Sequence, residues 1–183
     1  MPAKDLIGSL AATRMKPITF KTYLEPKTKV GYCHITVPKE IVETVGGFGA
    51  RLLCSINGNK KMHSGLMGKG DGRGLIIVNQ KRQKAWEISI GDEVEATIEL
   101  DHSKYGAEMP EELEALLEQD RGGLTAFEKI TPGQQRFIIG YVDGVKSIQK
   151  RIDRAIMMIE NLKTMPEGPF NHRHILGMPP EED

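Results

Sequence analysis

The residues of this chain best placed to do chemistry lie between Ser64 and Val78, in the stretch SGLMGKGDGRGLIIV. Five glycines surround Lys69, Asp71 and Arg73 directly before a β-branched run. Glycine reaches positive φ and leaves backbone N–H groups open, so such a loop either cradles an anion or turns the chain. A Walker loop needs Gly, four residues, then Gly-Lys-Ser/Thr. Here Gly68-Lys69 is followed by Gly70, and Gly65 is too near. The dinucleotide pattern fails because Arg73 stands at the third glycine position, and no long helix follows to lend its dipole. Two compatible readings remain. In one, Gly70, Asp71 and Gly72 build a structural turn or bulge, with Asp71 bonding its own backbone. In the other, Lys69 and Arg73 contact an anion.

Further cations flank this loop. Lys60, Lys61, Lys81, Arg82 and Lys84 are opposed only by Asp71 between positions 60 and 84, which reads as a solvated edge before a phosphate-binding face. Later in the chain Lys146, Lys150 and Arg154 recur every four residues and share a helix face, with Arg151 one position round. Asp143 and Asp153 can pair with that ridge, so a salt-bridged surface competes with an anion or partner groove. No histidine has metal-site spacing with a second ligand pair, and no Gly-x-Ser-x-Gly elbow surrounds Ser64, so no metal, cofactor or catalytic residue is assigned.

The elements that must hold these residues change character along the 183 residues. Residues 1–100 carry fifteen Lys/Arg against ten Asp/Glu, and residues 101–183 carry ten against fifteen, which points to two units with different surfaces. Residues 1–16 read as an arm. From Pro17 the period is two: ITFKTYL alternates Ile18, Phe20 and Leu24, and VGYCHITV follows a turn. Pro38 opens a short helix with Ile41, Val42 and Val45, stopped by Gly46. Asn57-Gly58 marks a tight hairpin, GLIIV a buried strand and QKRQK a polar turn. DEVEATIEL turns Val94, Ala96, Ile98 and Leu100 inward. About six short antiparallel strands over 17–101 predict a small β-barrel.

Residues 102–109 form a linker, after which the period approaches 3.6. Pro110 opens a helix with Leu113, Leu116 and Leu117 on one face, and TAFEKI makes a short turn with Thr125 and Glu128 at capping-box spacing. Thr131, Pro132 and Gln134 begin an apolar stripe running from Ile138 to Leu162, which Gly144 and Ser147 break into two helices. Residues 165–183 read as an extended tail. The fold class is α+β: a barrel, then a helical bundle over 110–164. Cys33 and Cys54 read as reduced core residues, no stretch approaches the roughly 20 apolar residues of a membrane span, and a cytoplasmic protein is expected.

Two sets of motifs carry a family resemblance over residues 17–163. ITVPKEIVETVGG, INGNKKMHSGLMGKGDGRGLIIVNQKRQK and ISIGDEVEATIEL resemble a bacterial barrel family of unknown function, whose GDG signature is matched by Gly70, Asp71 and Gly72, with Arg73 next. The segment from MPEELEALLEQD to IMMIENL is similar to the helical YdeI/OmpD-associated family. The aromatic residue, lysine and two arginines that mark its long helix are matched by Tyr141, Lys146, Arg151 and Arg154, while Gln149-Lys150 stands where the family often has Glu-Thr. The resemblance implies a barrel followed by a helical unit, and its name alludes to bacteriocin protection.

The leading functional reading is a non-enzymatic module binding an anionic small molecule or a partner protein near Lys69, Arg73 and the ridge of Lys146, Lys150, Arg151 and Arg154. One alternative is a dimeric DNA-binding regulator, because HITVPKEIVETVG with GDEVEATIEL partly resembles the AbrB-type swapped-hairpin barrels. DNA ranks behind the small anion, since about forty residues, including the Asn57-Gly58 hairpin, separate two motifs that the AbrB-type barrels place close together, and the zero net charge is not that of a globally basic binder. The other alternative is an enzyme with its site at the barrel mouth.

Overall fold

The computed structural model describes residues 15–27 and 31–179, in two compact units divided between His102 and Ser103. Apart from Met15 and Lys16, the N-terminal arm lies outside the described residues, as do the last four residues of the tail.

The first unit contains β1 (Ile18–Glu25), β2 (His34–Val37), α1 (Lys39–Thr44), β3 (Arg51–Ile56), β4 (Met62–Gly65), β5 (Met67–Gly68), β6 (Gly74–Ile77), α2 (Gln80–Trp86) and β7 (Glu93–Leu100). The strands form one antiparallel sheet in the order β4-β3-β7-β1-β2-β6-β5. β4 approaches β6 across the remaining seam, so the sheet is a nearly closed barrel, as the alternating strands predict. The seventh strand is the two-residue β5.

The alternation of β7 fills the interior: Val94, Ala96 and Ile98 are buried with Leu24, Ile35, Leu52, Cys54 and Ile56 from facing strands. Cys33 and Cys54 are both free thiols. α1 follows Pro38, which is the N-cap rather than the first helical residue. It ends on paired bonds from Gly46 N to Glu43 O and from Gly47 N to Val42 O, the Schellman closure that positive-φ glycines permit.

Two local expectations change. Asn57 and Gly58 adopt φ of 49° and 73°, as a type I′ turn requires, but Cys54 pairs with Met62, so Asn57 to Lys61 make a wider loop than a two-residue hairpin. QKRQK is helix rather than turn: Asn79 caps α2 by accepting from Arg82 N, and the helix delivers Trp86 to the barrel interior. There the indole N–H donates to Lys60 O at 3.0 Å.

The second unit comprises α3 (Glu111–Gln119), α4 (Arg121–Lys129), α5 (Pro132–Asp143), α6 (Ile148–Lys163) and α7 (His172–Ile175). α6 packs on each of α3, α4, α5 and α7. Its buried face is Ala155, Met158, Ile159 and Leu162, set against Leu113, Leu117, Phe127, Ile138, Ile139 and Val142. Thr131 and Gln134 form a complete capping box, and the α5–α6 break falls between Asp143 and Ile148 as Gly144 and Ser147 predict. TAFEKI is not a turn of its own. Asp120 caps α4 five residues before Thr125 by accepting from Gly123 N, and the Thr125 hydroxyl donates inside the helix to Arg121 O. The expected extended tail also turns back, since α7 buries Ile175 completely in the helical core.

Candidate functional site

Glu25 and His34 face each other where β1 and β2 pair, beside Leu24 and Ile35. Alternation sends Leu24 and Ile35 into the core and leaves Glu25, His34 and Thr36 on the other sheet face. The glycine loop brings Lys69 onto this face. It is a five-residue connection between β5 and β6, closed by a bond from Lys69 N to Arg73 O, with Gly70 and Gly72 at φ of 102° and 84°. Asp71 Oδ1 accepts from Arg73 N at 3.0 Å, and Oδ2 accepts from Arg73 Nε at 2.7 Å and from Nη2. Gly70, Asp71 and Gly72 thus shape the turn and hold Arg73 at its end.

Lys69 Nζ donates to Glu25 Oε2 and to Thr36 Oγ, each at 2.6 Å, and the Thr36 hydroxyl donates to Glu25 Oε1. The three side chains close a ring. Partial burial works to raise the Glu25 carboxyl, but the hydrogen bonds from Lys69 and Thr36 and the charges of Lys69 and His34 outweigh it and hold the carboxyl below its ordinary range. His34 is 0% exposed. Its Nδ1 lies 3.0 Å from Tyr32 O, and its Nε2 lies 3.4 Å from Glu25 Oε2, too far for a good hydrogen bond.

Above this ring opens a cleft of about 400 Å³ between β1, β2, α1 and the glycine loop. Lys21, Lys39 and Arg73 supply its cations, and Glu25 and Glu40 its acids. Two of the cations are loosely held. Lys21 is 3.6 Å from Glu93 and Lys39 is 3.8 Å from Glu43, all four side chains exposed, and such pairs are worth little. Arg73 is held more firmly by Asp71, which keeps the guanidinium fully charged and the carboxyl low.

The flanking cations separate into different roles. Arg82 is no part of a solvated edge. Its Nη1 donates to Ser64 Oγ at 3.0 Å and to Ile77 O at 2.9 Å, and its Nη2 donates to His63 O. Burial beside these groups lowers the Arg82 pKa, and burial likewise pushes the nearby Cys54 thiol up to about 12. Lys61 pairs with Glu99 at 2.7 Å, while Lys84 lies exposed.

On the helical unit the ridge also divides. Arg151 Nε donates to Glu112 Oε1 at 2.9 Å, and its Nη1 donates to Val145 O and Lys146 O, both at 3.2 Å. Arg154 Nη1 donates to Tyr141 O at 2.6 Å, with its guanidinium carbon 4.2 Å from the centre of the Tyr141 ring. Both arginines therefore tie the C-terminal end of α5 and the following loop to α6. Arg151 also edges an acid-rich cleft of about 360 Å³ with Glu108, Glu111, Glu112 and Asp143. Lys146 and Lys150 stay exposed.

Sequence reasoning singled out Lys69, Arg73 and the turn but not Glu25, His34, Thr36, Lys21 or Lys39, which the structure sets near them. The available signal was slight, because Glu25 ends a strand that already carries Thr19, Lys21 and Thr22, and His34 only opens β2. Among the described residues no group of three or more His, Cys, Asp or Glu could hold a metal ion, and no helix is long and apolar enough to cross a membrane.

Comparison with family models matches each unit. Residues 20–98 match a domain of unknown function, DUF1905, and residues 106–164 match the family described as bacteriocin-protection, YdeI or OmpD-associated. Among curated proteins and among solved structures, nothing matches the chain.

Proposed function

We propose that this chain, which joins a DUF1905 β domain to a YdeI/OmpD-associated domain, is a cytoplasmic binding module that holds a small anionic molecule in the barrel cleft. The observation that carries the reading is a charge balance. Glu25, the acid at the floor, is already neutralised by Lys69, so Lys21, Lys39 and Arg73 at the rim outnumber Glu40. A carboxylate or phosphate entering the cleft gains Lys21 and Lys39, whose present partners are exposed and weak, beside an Arg73 that Asp71 holds in place. Binding is favoured over catalysis because the polar groups of Glu25, Thr36 and Lys69 are engaged with one another and present no free nucleophile or base. A link to bacteriocin protection is carried by the family description alone.

Inorganic phosphate and a small dicarboxylate, titrated into isotope-labelled protein, test the reading by NMR. Saturable shifts are expected at Lys21, Lys39 and Arg73, and Lys39→Ala with Arg73→Ala should abolish them. Shifts spread without saturation would remove the proposal. Tight, salt-sensitive binding of duplex DNA by the same protein would favour the regulator instead.

A protein partner on the helical unit is the second reading, favoured by Ile148 and Ile156, which are 62% and 46% exposed two turns apart on α6. Its test compares proteins captured by the wild type with those captured by Ile148→Asp/Ile156→Asp. Identical captures would remove it.

A further inference from the structure

One group behind Glu25, which lines the cleft, has unfinished hydrogen bonding. His34 Nδ1 faces the Tyr32 carbonyl oxygen, which can only accept, so Nδ1 carries a proton and donates. The free position is Nε2, a buried nitrogen with no hydrogen-bond partner among the described residues, aimed at Glu25 Oε2 over 3.4 Å. A neutral imidazole sets its lone pair against the carboxylate oxygen, two acceptors face to face. An imidazolium turns the same contact into an attractive N–H to O⁻ pair.

The charged and polar groups around this contact come from every neighbouring element. β1 supplies Glu25, the glycine loop supplies Lys69 on the same Oε2, and β2 itself supplies Thr36 on Oε1. β6 contributes only the uncharged Ile77 opposite His34. Arg73 adds an attraction for Glu25 through space. With His34 neutral, Glu25 and Lys69 cancel. With His34 protonated, the cluster of Glu25, Lys69 and His34 carries one net positive charge beside the cleft that Lys21, Lys39 and Arg73 line.

We propose that the protonation of His34 sets the anion affinity of this cleft, so that the site holds anions tightly when the imidazole is charged and releases them when it is neutral. The inference rests on the anion-binding reading above and adds its regulation. Imidazole is the side chain whose class titrates between about pH 5 and 8, the range in which such a site would be useful as a sensor. Linkage makes the effect mutual: a bound anion must strengthen proton binding at His34 by the same factor that the proton strengthens anion binding.

The test uses the full chain and sulfate, which stays a dianion throughout this range. Calorimetric titration at about pH 5.5 and about pH 8 should show wild-type affinity tighter by about ten-fold at the lower value, within the usual span of site-to-site coupling. His34→Gln should bind at both values with the affinity the wild type has at the higher one. Equal wild-type affinity at the two values, or a pH dependence retained in His34→Gln, overturns the inference while leaving anion binding intact. Absence of saturable sulfate binding at either value overturns the anion-binding reading itself. If His34→Gln does not fold, the imidazole ¹⁵N shifts of His34 in the wild type decide. Saturating sulfate must move their titration midpoint upward, and an unmoved midpoint overturns the inference.

Discussion

The Arg82 guanidinium donates to the Ile77 carbonyl oxygen at 2.9 Å, joining a residue of α2 to the last residue of β6. The same guanidinium reaches Ser64 Oγ and the His63 carbonyl on β4. These are the two strands that meet at the seam of the barrel, and neither completes a ladder with the other. A planar group with five donors is suited to bridging acceptors on two diverging strands, and arginine keeps its charge when buried. Arg82 also lies 5.7 Å from the centre of the Trp86 ring, which fills the interior beside it. The guanidinium thus clasps the seam.

Arg82→Ala should therefore lower stability by about 3 kcal/mol, since it strips charge-assisted bonds from three part-buried acceptors on two strands. Arg82→Lys should recover less than half of that, because an ammonium cannot span both strands. Urea unfolding monitored by Trp86 fluorescence measures both variants. A midpoint unchanged by Arg82→Ala would show that the seam closes without the clasp.

Lys69 and Glu25 form a partly buried pair, with side chains 19% and 31% exposed. Lys69→Ala leaves Glu25 with Thr36 as its hydrogen-bond donor and His34 3.4 Å away, and is expected to cost about 1–2 kcal/mol, discounted from a fully buried pair for solvent screening. Lys69→Met with Glu25→Gln should cost less than the sum of the two single changes, because the double variant strands no charge. Additive losses in chemical denaturation would mean that the two side chains do not act as a pair.

Acid should unfold this protein through a defined set of carboxyls. Burial works to raise Glu25, but Lys69, Thr36 and His34 hold it below its ordinary range. Lys163 lowers Asp120, and Arg151 lowers Glu112. A carboxyl lowered by folding contributes stability above its unfolded pKa, near 4 for the class, and loses it as pH falls through the lower folded value. Melting temperature should thus stay level from about pH 7 to about pH 5 and drop below about pH 4. In Glu25→Gln the drop should be shallower. Parallel acid profiles for wild type and variant would exclude Glu25 from the titrating set.

Much of this architecture can be read from local signals, and what escapes reading is tertiary. The capping box at Thr131 and Gln134, the positive φ at Asn57 and Gly58, and the alternation of β7 follow from residues that are neighbours in sequence. α2 escapes because its polar sequence has a single buried residue, Trp86, leaving no apolar period to detect, although Asn79 announces its cap. The start of α4 escapes because Gly122 and Gly123 read as breakers when they lie in its first turn. The site is legible only at one end. Lys69 stands out among glycines, but its partner Glu25 is 44 residues away and becomes visible only when β1, β2 and β6 pair. Arg82 looks like every other cation of its run because its partners are two backbone carbonyls and one serine hydroxyl, which carry no charge signature in the sequence.

Two helix glycines that look alike in sequence should respond to alanine in opposite directions. Gly140 lies in the interior of α5, is exposed, and a Cβ there meets nothing within 4 Å. Gly140→Ala should gain about 0.5–1 kcal/mol by restricting the unfolded chain and improving helix propensity. Gly123 lies in α4 where that helix crosses α6, and a Cβ there would sit 2.5 Å from Ile159 Cγ2 and 2.7 Å from Asp120 Oδ2. Ile159 is fully buried, and Asp120 is held by both its cap bond to Gly123 N and its pair with Lys163, so neither can give way cheaply. Gly123→Ala should therefore lower stability by about 1–3 kcal/mol, the usual cost of overpacking, despite its better helix propensity. Thermal unfolding of the two single variants checks the pair. A stabilised Gly123→Ala would show that α4 and α6 have room to separate, and that close approach is not what places glycine at this crossing.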